Sequence, residues 1–277
     1  SSHDTIDYHM ADYAERNVRP VRLYTTTVTA NKDVRADAHI IEMYAPQLAQ
    51  AVQPGQYCMV RCSAAQASDP LLRRPFFIHS VQRDAGLCSL LVHIQGRGSA
   101  WLATQREGSL LDILGPMGHG WSIRPTVSNL LVVCEGTGIA SLTCLMQTAL
   151  AQELSVTLVA AYENEHEVYP PALLPPEVEY HIVTRDASTG QQGDILSVLG
   201  TYLPWADAAY LCVAHATSVA LYSHFEKLRM KLFAQAAVLY PLVCGNGVCL
   251  TCSIETRSGS RLVCRDGPVF DLREVAR

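Results

Sequence analysis

No stretch of this 277-residue chain is apolar for long enough to span a membrane; the longest, 234–244, is too short and is broken by Pro241. The start lacks the basic-then-apolar pattern of a secretory leader, and the featureless opening, 1–10, contributes nothing to the reading. No long basic run is present and the formal net charge is -5, which argues against a nucleic-acid surface. Internal repeats and low-complexity segments are missing as well. His39, His166, His181 and His224 show no metal-ligand spacing and read as surface or capping groups. Trp101, Trp121 and Trp205 read as packing residues. No Ser-His-Asp or paired-carboxylate arrangement stands out, so hydrolysis has no support.

What is there suits a globular protein of two or three domains, with 49% hydrophobic and 17% charged residues. Six cysteines, Cys58, Cys62, Cys88, Cys134, Cys144 and Cys212, lie scattered in apolar patterns, where a thiol acts as a small hydrophobe. Cys58 and Cys62 cannot pair within one extended strand, because four residues span roughly 13 Å. A reducing, cytoplasmic location is expected.

The other four cysteines carry the strongest signal. Cys244, Cys249, Cys252 and Cys264 follow the spacing C-x4-C-x2-C-x11-C. That is the ligand pattern of a plant-type [2Fe–2S] cluster, two thiolates to each iron. Gly245 and Gly247 let the loop curl, since a residue without Cβ takes left-handed dihedrals. A zinc site would pair two C-x2-C knuckles, and only one exists here. Residues 262–264 read as a short strand delivering the fourth thiolate after a Ser258-Gly259-Ser260 turn.

Taken in order, 21–28, 38–44, 56–62, 76–82, 87–94 and 109–114 read as short strands without long helices between them. That pattern predicts an antiparallel barrel. Past Pro125 strands and helices alternate: 130–134, 156–161, 178–184 and 208–214 as strands, with helical stretches to about 153, near 193–203 and over 217–233. Alternation predicts a parallel sheet with helices on both faces. A third, small piece runs from 238 to the end.

Three further stretches suit ligand chemistry. Arg73-Arg74-Pro75-Phe76-Phe77 enters a barrel strand, where an arginine can fork onto a diphosphate or simply form a solvated edge. Leu91-Val92-His93 runs into Gly96-Arg97-Gly98-Ser99, a turn fit for a phosphate or for a plain serine cap. Gly115-Pro116-Met117-Gly118-His119-Gly120 reads as too glycine-rich for a regular element.

In that order, with Glu135-Gly136-Thr137-Gly138-Ile139-Ala140, the cysteine loop and Asp266-Gly267-Pro268-Val269-Phe270-Asp271, the chain resembles the electron-transfer subunit of type B dihydroorotate dehydrogenase, a ferredoxin-reductase-like flavoprotein. The resemblance runs from about 18 to 275. It implies a multidomain β + α/β fold: an FAD-binding antiparallel β-barrel (18–124), a Rossmann-like NAD-binding domain (125–236) and a [2Fe–2S] domain (237–277). It implies FAD held by Arg74, Pro75, Phe76 and Phe77, by Leu91, Val92 and His93, and by Gly98 and Ser99. Gly136 and Gly138 remain of the nucleotide loop, and the four cysteines hold the cluster. NAD would be co-substrate, and the partner an FMN-containing catalytic subunit in a heterotetramer of the pyrimidine pathway, with neither nucleic acid nor membrane involved.

Three positions depart from that family. Phe77 stands where a Ser or Thr hydroxyl bonds the flavin edge. Cys134 and Glu135 replace two glycines of a Gly-Gly-Gly-x-Gly loop. Cys212-Val213-Ala214-His215 replaces a Cys-Gly-Pro, and His215 there reads either as a ligand contact or as a surface residue. A carboxylate at 135 is expected to weaken NADH binding, or to turn to solvent. Rival readings are a ferredoxin-NADP oxidoreductase or sulfide dehydrogenase subunit, which tends to carry Asp at the first cluster position, and a redox module without nicotinamide use.

Overall fold

A computed structural model describes residues 21–227 and 232–277. Positions 18–20 of the expected barrel and 228–231 of the last expected helix lie outside the described residues.

The first six strands are β1 (Arg22–Arg35), β2 (Ala38–Tyr44), β3 (Tyr57–Val60), β4 (Arg74–Gln82), β5 (Leu87–His93) and β6 (Leu110–Met117), with α1 (Pro46–Ala51) after β2 and α2 (Arg97–Ala103) after β5. They close an antiparallel barrel in the order β1-β2-β5-β4-β3-β6, as the turn-punctuated pattern predicts. β5 reads as a continuous apolar run because both its faces are covered. Cys88, Leu90 and Val92 fill the barrel, whereas Leu91 joins the core that contains Trp121 and, from the next layer, Leu130. One expectation fails here: Gly115, Pro116 and Met117 are strand residues, with Gly115 opposite Arg22 and Met117 opposite Tyr57. Cross-strand pairing overrides the composition.

The second layer contains β7 (Asn129–Glu135), α3 (Thr143–Leu150), β8 (Ser155–Tyr162), β9 (Glu179–Thr184), the two-residue β10 (Gln191–Gln192), α4 (Ile195–Val198), β11 (Ala208–Cys212), α5 (His215–Lys227) and β12 (Phe233–Ala237). A hairpin, β13 (Ser253–Thr256) and β14 (Gly259–Leu262), precedes a helical turn α6 (Val263–Asp266), then β15 (Val269–Asp271) and α7 (Leu272–Val275). The sheet order is β10-β9-β8-β7-β11-β12-β15, parallel except for β15, which runs antiparallel to β12. The tail beyond the cysteine loop is therefore sewn into the nucleotide sheet.

Alternate residues of β7 supply both faces of the core. Leu130, Val132 and Cys134 meet Leu142, Leu145 and Met146 on the α3 side, while Leu131 and Val133 meet Val198, Leu221 and Phe225 on the other. Truncating a fully buried residue such as Leu131 to Ala should cost about 2–5 kcal/mol. Two expectations are corrected. The glycine loop after β7 does not open an α-helix; Gly136–Ser141 forms a 3-10 segment and α3 starts only at Thr143. Cys264 lies not on a strand but on α6, just past β14.

Candidate functional site

The cysteine loop folds against β3 and β6, on the side facing away from the barrel interior. Gly245 has φ +73°, and a Cβ there would stand 2.9 Å from Met59 Cγ and 3.1 Å from Met117 Cε. A side chain would push the loop off β3 and β6, so glycine is required both for its dihedral and for the close approach. The Tyr57 hydroxyl, buried in β3, lies 2.9 Å from the Cys264 carbonyl and 3.2 Å from that of Gly245, pinning both arms of the loop to the barrel. Burial, followed by the thiols of Cys264, Cys252 and Cys244, holds this phenol far above its ordinary pKa, so it stays a neutral donor.

The four thiols come as two pairs. The Cys249 amide points at the Cys244 sulfur from 3.5 Å, and the Cys264 amide at the Cys252 sulfur from 3.4 Å. Cys252 and Cys264 are buried, Cys244 half-buried and Cys249 exposed. Burial raises the Cys244 thiol, but amides of Cys249, Asn246 and Val248 outweigh it and bring the group to about 6. Burial and the neighbouring Cys252 push Cys264 up to about 12. Among the described residues no group of three or more ligating side chains is placed to hold a single ion. Two thiol pairs with amides aimed at sulfur fit a cluster of two irons, one pair to each, better than they fit zinc.

The flavin-type residues meet on the barrel. Structure separates the tandem arginines: Arg73 grips both carboxylate oxygens of Asp112 at 2.9 Å and is taken up by the barrel wall. Arg74, bonded to the Leu72 carbonyl at 2.7 Å, lies along α2, its Cγ and Nε 3.3 and 3.5 Å from where a Gly98 Cβ would stand. Guanidinium and glycine turn thus form one cradle, fit for a diphosphate. Ser99 closes that turn, accepting from the Gln95 and Gly96 amides at 2.9 and 3.1 Å. Phe76 packs on the barrel core, and Phe77, paired with Tyr57 across β3, on the sheet core, so Pro75 and the two rings are half-buried. Leu91 and Val92 are buried. His93 has a buried Nε2 without a partner while Arg35 Nη2 lies 3.2 Å from its Nδ1. Burial and then the Arg35 charge pull His93 down to about 4. A neutral imidazole with one orphaned nitrogen fits a bound polar ligand.

His79, a residue sequence reasoning passed over, joins the two layers. It is fully buried in β4, 3.2 Å from Ser89 Oγ and 3.1 Å from the Tyr169 hydroxyl of the nucleotide layer. No periodicity distinguishes it from its neighbours, and only the fold shows its partners.

At the nucleotide end the glycine loop is closed rather than open. A Cβ on Gly138 would fall 2.2 Å from the Cys212 carbonyl oxygen, so the loop rests on the end of β11. Gly136 has φ +50° and open space around it. Glu135 does not turn to solvent: its carboxylate accepts from the Ala214 amide at 2.7 Å and from the Thr217 hydroxyl at 2.9 Å. His215 opens α5 beside it, exposed.

Comparison with known proteins agrees with this geometry. Residues 25–121 match the oxidoreductase FAD-binding domain, and 241–276 the iron–sulfur cluster binding domain of dihydroorotate dehydrogenase B. The electron transfer subunit of dihydroorotate dehydrogenase B (NAD(+)) from Desulforamulus reducens is 27% identical over 261 residues, 92% of this chain and 98% of that one. Its counterpart from Geobacillus thermodenitrificans is 28% identical over 254 residues, covering 90% and 96%. Among solved structures, an NADH-dependent reduced ferredoxin-NADP oxidoreductase superposes with TM-score 0.78 over 90% of this chain and 89% of its own, at 18% identity. The ferredoxin reductase of carbazole 1,9a-dioxygenase gives 0.63 over 77% and 67%, at 17% identity. The chain is thus an oxidoreductase flavoprotein of ferredoxin-reductase-like fold that joins an FAD-binding domain to a dihydroorotate dehydrogenase B-type iron–sulfur domain and resembles that enzyme's electron transfer subunit.

Proposed function

We propose that this chain is the electron-transfer subunit of a dihydroorotate dehydrogenase, linking an FMN-containing catalytic partner to NAD in pyrimidine synthesis. The observation that carries it is the junction at Tyr57, which fastens the two thiol pairs to the strand next to the one bearing Arg74 and Phe77. When bound, FAD exchanges electron pairs with nicotinamide and single electrons with a [2Fe–2S] centre.

The chain's own residues set the rest. Cys244, Cys249, Cys252 and Cys264 hold the iron, and amides directed at sulfur stabilise thiolate there. Arg74 and the Gly98–Ser99 turn take the diphosphate, while Pro75, Phe77, Leu91 and His93 border the flavin, backed by Phe76 and Val92 on the barrel-core side of the same strands. Gly136 and Gly138 shape the nucleotide loop. Exposed Leu239, Tyr240, Val243, Val248 and Leu250 surround the outer thiol pair and form the face for the catalytic chain. An exposed apolar rim of this kind marks a protein contact.

Division into 18–124, 125–236 and 237–277 is supported by the family matches, which fall inside the first and last of these. No helix among the described residues is long and apolar enough to cross a membrane. The six cysteines outside the cluster loop, all buried and unpaired, support a reducing, cytoplasmic location. Co-expression with an FMN-dependent dihydroorotate dehydrogenase chain tests the proposal. A stable heterotetramer that reduces NAD with dihydroorotate is expected; a chain that neither binds that partner nor accepts its electrons would refute it.

A further inference from the structure

In open α/β sheets a ligand sits beyond the carboxyl ends of the strands, where the strand order reverses. Here that point lies between β7 and β11, since the chain leaves β7 toward β8, β9 and β10 and then returns to β7's other edge. A dinucleotide's diphosphate needs free amides at a helix N-terminus beside this point. The loop after β7 opens only a six-residue 3-10 segment, Gly136–Ser141, and α3 begins at the buried Thr143. The helix that does start there is α5, thirteen residues long. A carboxylate already stands at its start: Glu135 accepts from the amide of Ala214, the residue just before the helix, at 2.7 Å and from the Thr217 side-chain hydroxyl at 2.9 Å. Both bonds are charge-assisted, and the helix dipole favours the negative group. Gly138, lying against the Cys212 carbonyl, brings the loop after β7 onto the end of β11.

We infer that Glu135 is a specificity-determining residue, an internal anion that fills the switch-point crevice and turns away a dinucleotide diphosphate unless it is displaced. The inference rests on the flavin-reductase reading, in which NAD would address FAD at this crevice. It makes the nucleotide step, not the cluster step, the one the chain restrains. A phosphate entering beside Glu135 meets like charge, and leaving Ala214 and Thr217 to the phosphate would require the carboxylate to swing out.

Calorimetric titration of the FAD- and cluster-loaded chain with NAD tests this in the unmodified protein, Glu135→Gln and Glu135→Ala. The glutamine keeps the size and the acceptor oxygen while removing charge; the alanine vacates the position. Binding should tighten by about tenfold or more in Glu135→Ala, with an intermediate gain in Glu135→Gln, and the gap should narrow at high salt. Affinities within about twofold of the unmodified protein in both variants, at full cofactor content, would overturn the inference. Should the alanine variant not fold, the isosteric glutamine variant decides alone by the same criterion. A purely structural role would lower the melting temperature and leave NAD affinity unmoved, which also overturns it. Failure of the flavin-reductase reading shows differently, as an unmodified chain that carries no FAD or iron.

Discussion

Two loops of this chain gather hydrogen-bond donors around a negative charge, and they do so to opposite ends. At the cysteine loop, amides of Cys249, Asn246 and Val248 face the Cys244 sulfur and bring it to about 6. At the sheet's switch point the Ala214 amide and Thr217 hydroxyl face the Glu135 carboxylate. A thiolate so stabilised is itself a ligand and still has lone pairs for iron. A carboxylate so stabilised stands where a ligand's charge would go. The same electrostatics prepares one site and occupies the other, so the residue at the centre of the donors, not the donors, decides what a loop can bind.

The largest expected effect lies on the cysteine side. Cys252→Ser or Cys264→Ser removes a buried ligand, and iron and acid-labile sulfide should fall from about two per chain to near zero. Stoichiometric iron and sulfide in both variants would erase the contrast between the two loops.

The seam between the halves comes next. Burial pulls His79 down to about 4, against 6.5 for an open imidazole, with the charge of His93 adding to the shift. The folded chain therefore binds fewer protons than the unfolded one between those values. Stability is complete above 6.5 and declines as pH falls toward 4, by an amount of order 3 kcal/mol. Thermal denaturation of His79→Gln should show a flatter decline over that window; an unchanged slope would move the effect elsewhere.

Within the flavin cradle the contrast is between neighbours. Arg74→Ala should weaken flavin retention by about 1.5–3 kcal/mol, the range for bonds to charged groups. Arg73→Ala should instead lower the melting temperature while keeping FAD, since that guanidinium is spent on Asp112. Equal flavin loss in the two variants would show that the ion pair with Asp112 does not separate them.

Tyr57→Phe gives the smallest change. One hydroxyl shared by two carbonyls is lost, at about 1–3 kcal/mol. The cluster should remain but its visible circular dichroism should shift as the loop loosens. An identical spectrum would show that Gly245 packing alone fixes the loop.

How much of this is legible in the sequence follows from the range of each interaction. The four cysteines are read directly, because cluster ligation demands fixed spacing along one short loop. Strands such as β2 and β5 announce themselves through apolar pattern and turn residues at both ends. β12 does not: Phe233-Ala-Gln-Ala-Ala237 is alanine-rich with little strand preference, and only its first residue falls within an expected element, the 217–233 helix. β15 is three residues long, too short to carry a period, and exists because β12 offers it an edge. Cys264 reads as strand because Leu262 and Val263 precede it, yet the chain bends into α6, where the Leu262 amide bonds to Asp266. The partners of Glu135 lie 79 and 82 residues away, so no local pattern could show that the carboxylate is held at the start of α5. The doubled arginines likewise look alike until β6 brings Asp112 to only one of them.

On this reading one chain holds both a two-electron flavin and a one-electron cluster, joined at Tyr57. Anaerobic reductive titration of the purified protein tests it most directly. Full reduction should take about three electrons per chain, two bleaching the flavin and one the cluster. An end point at about one or two electrons, in protein of full iron and flavin content, would contradict it.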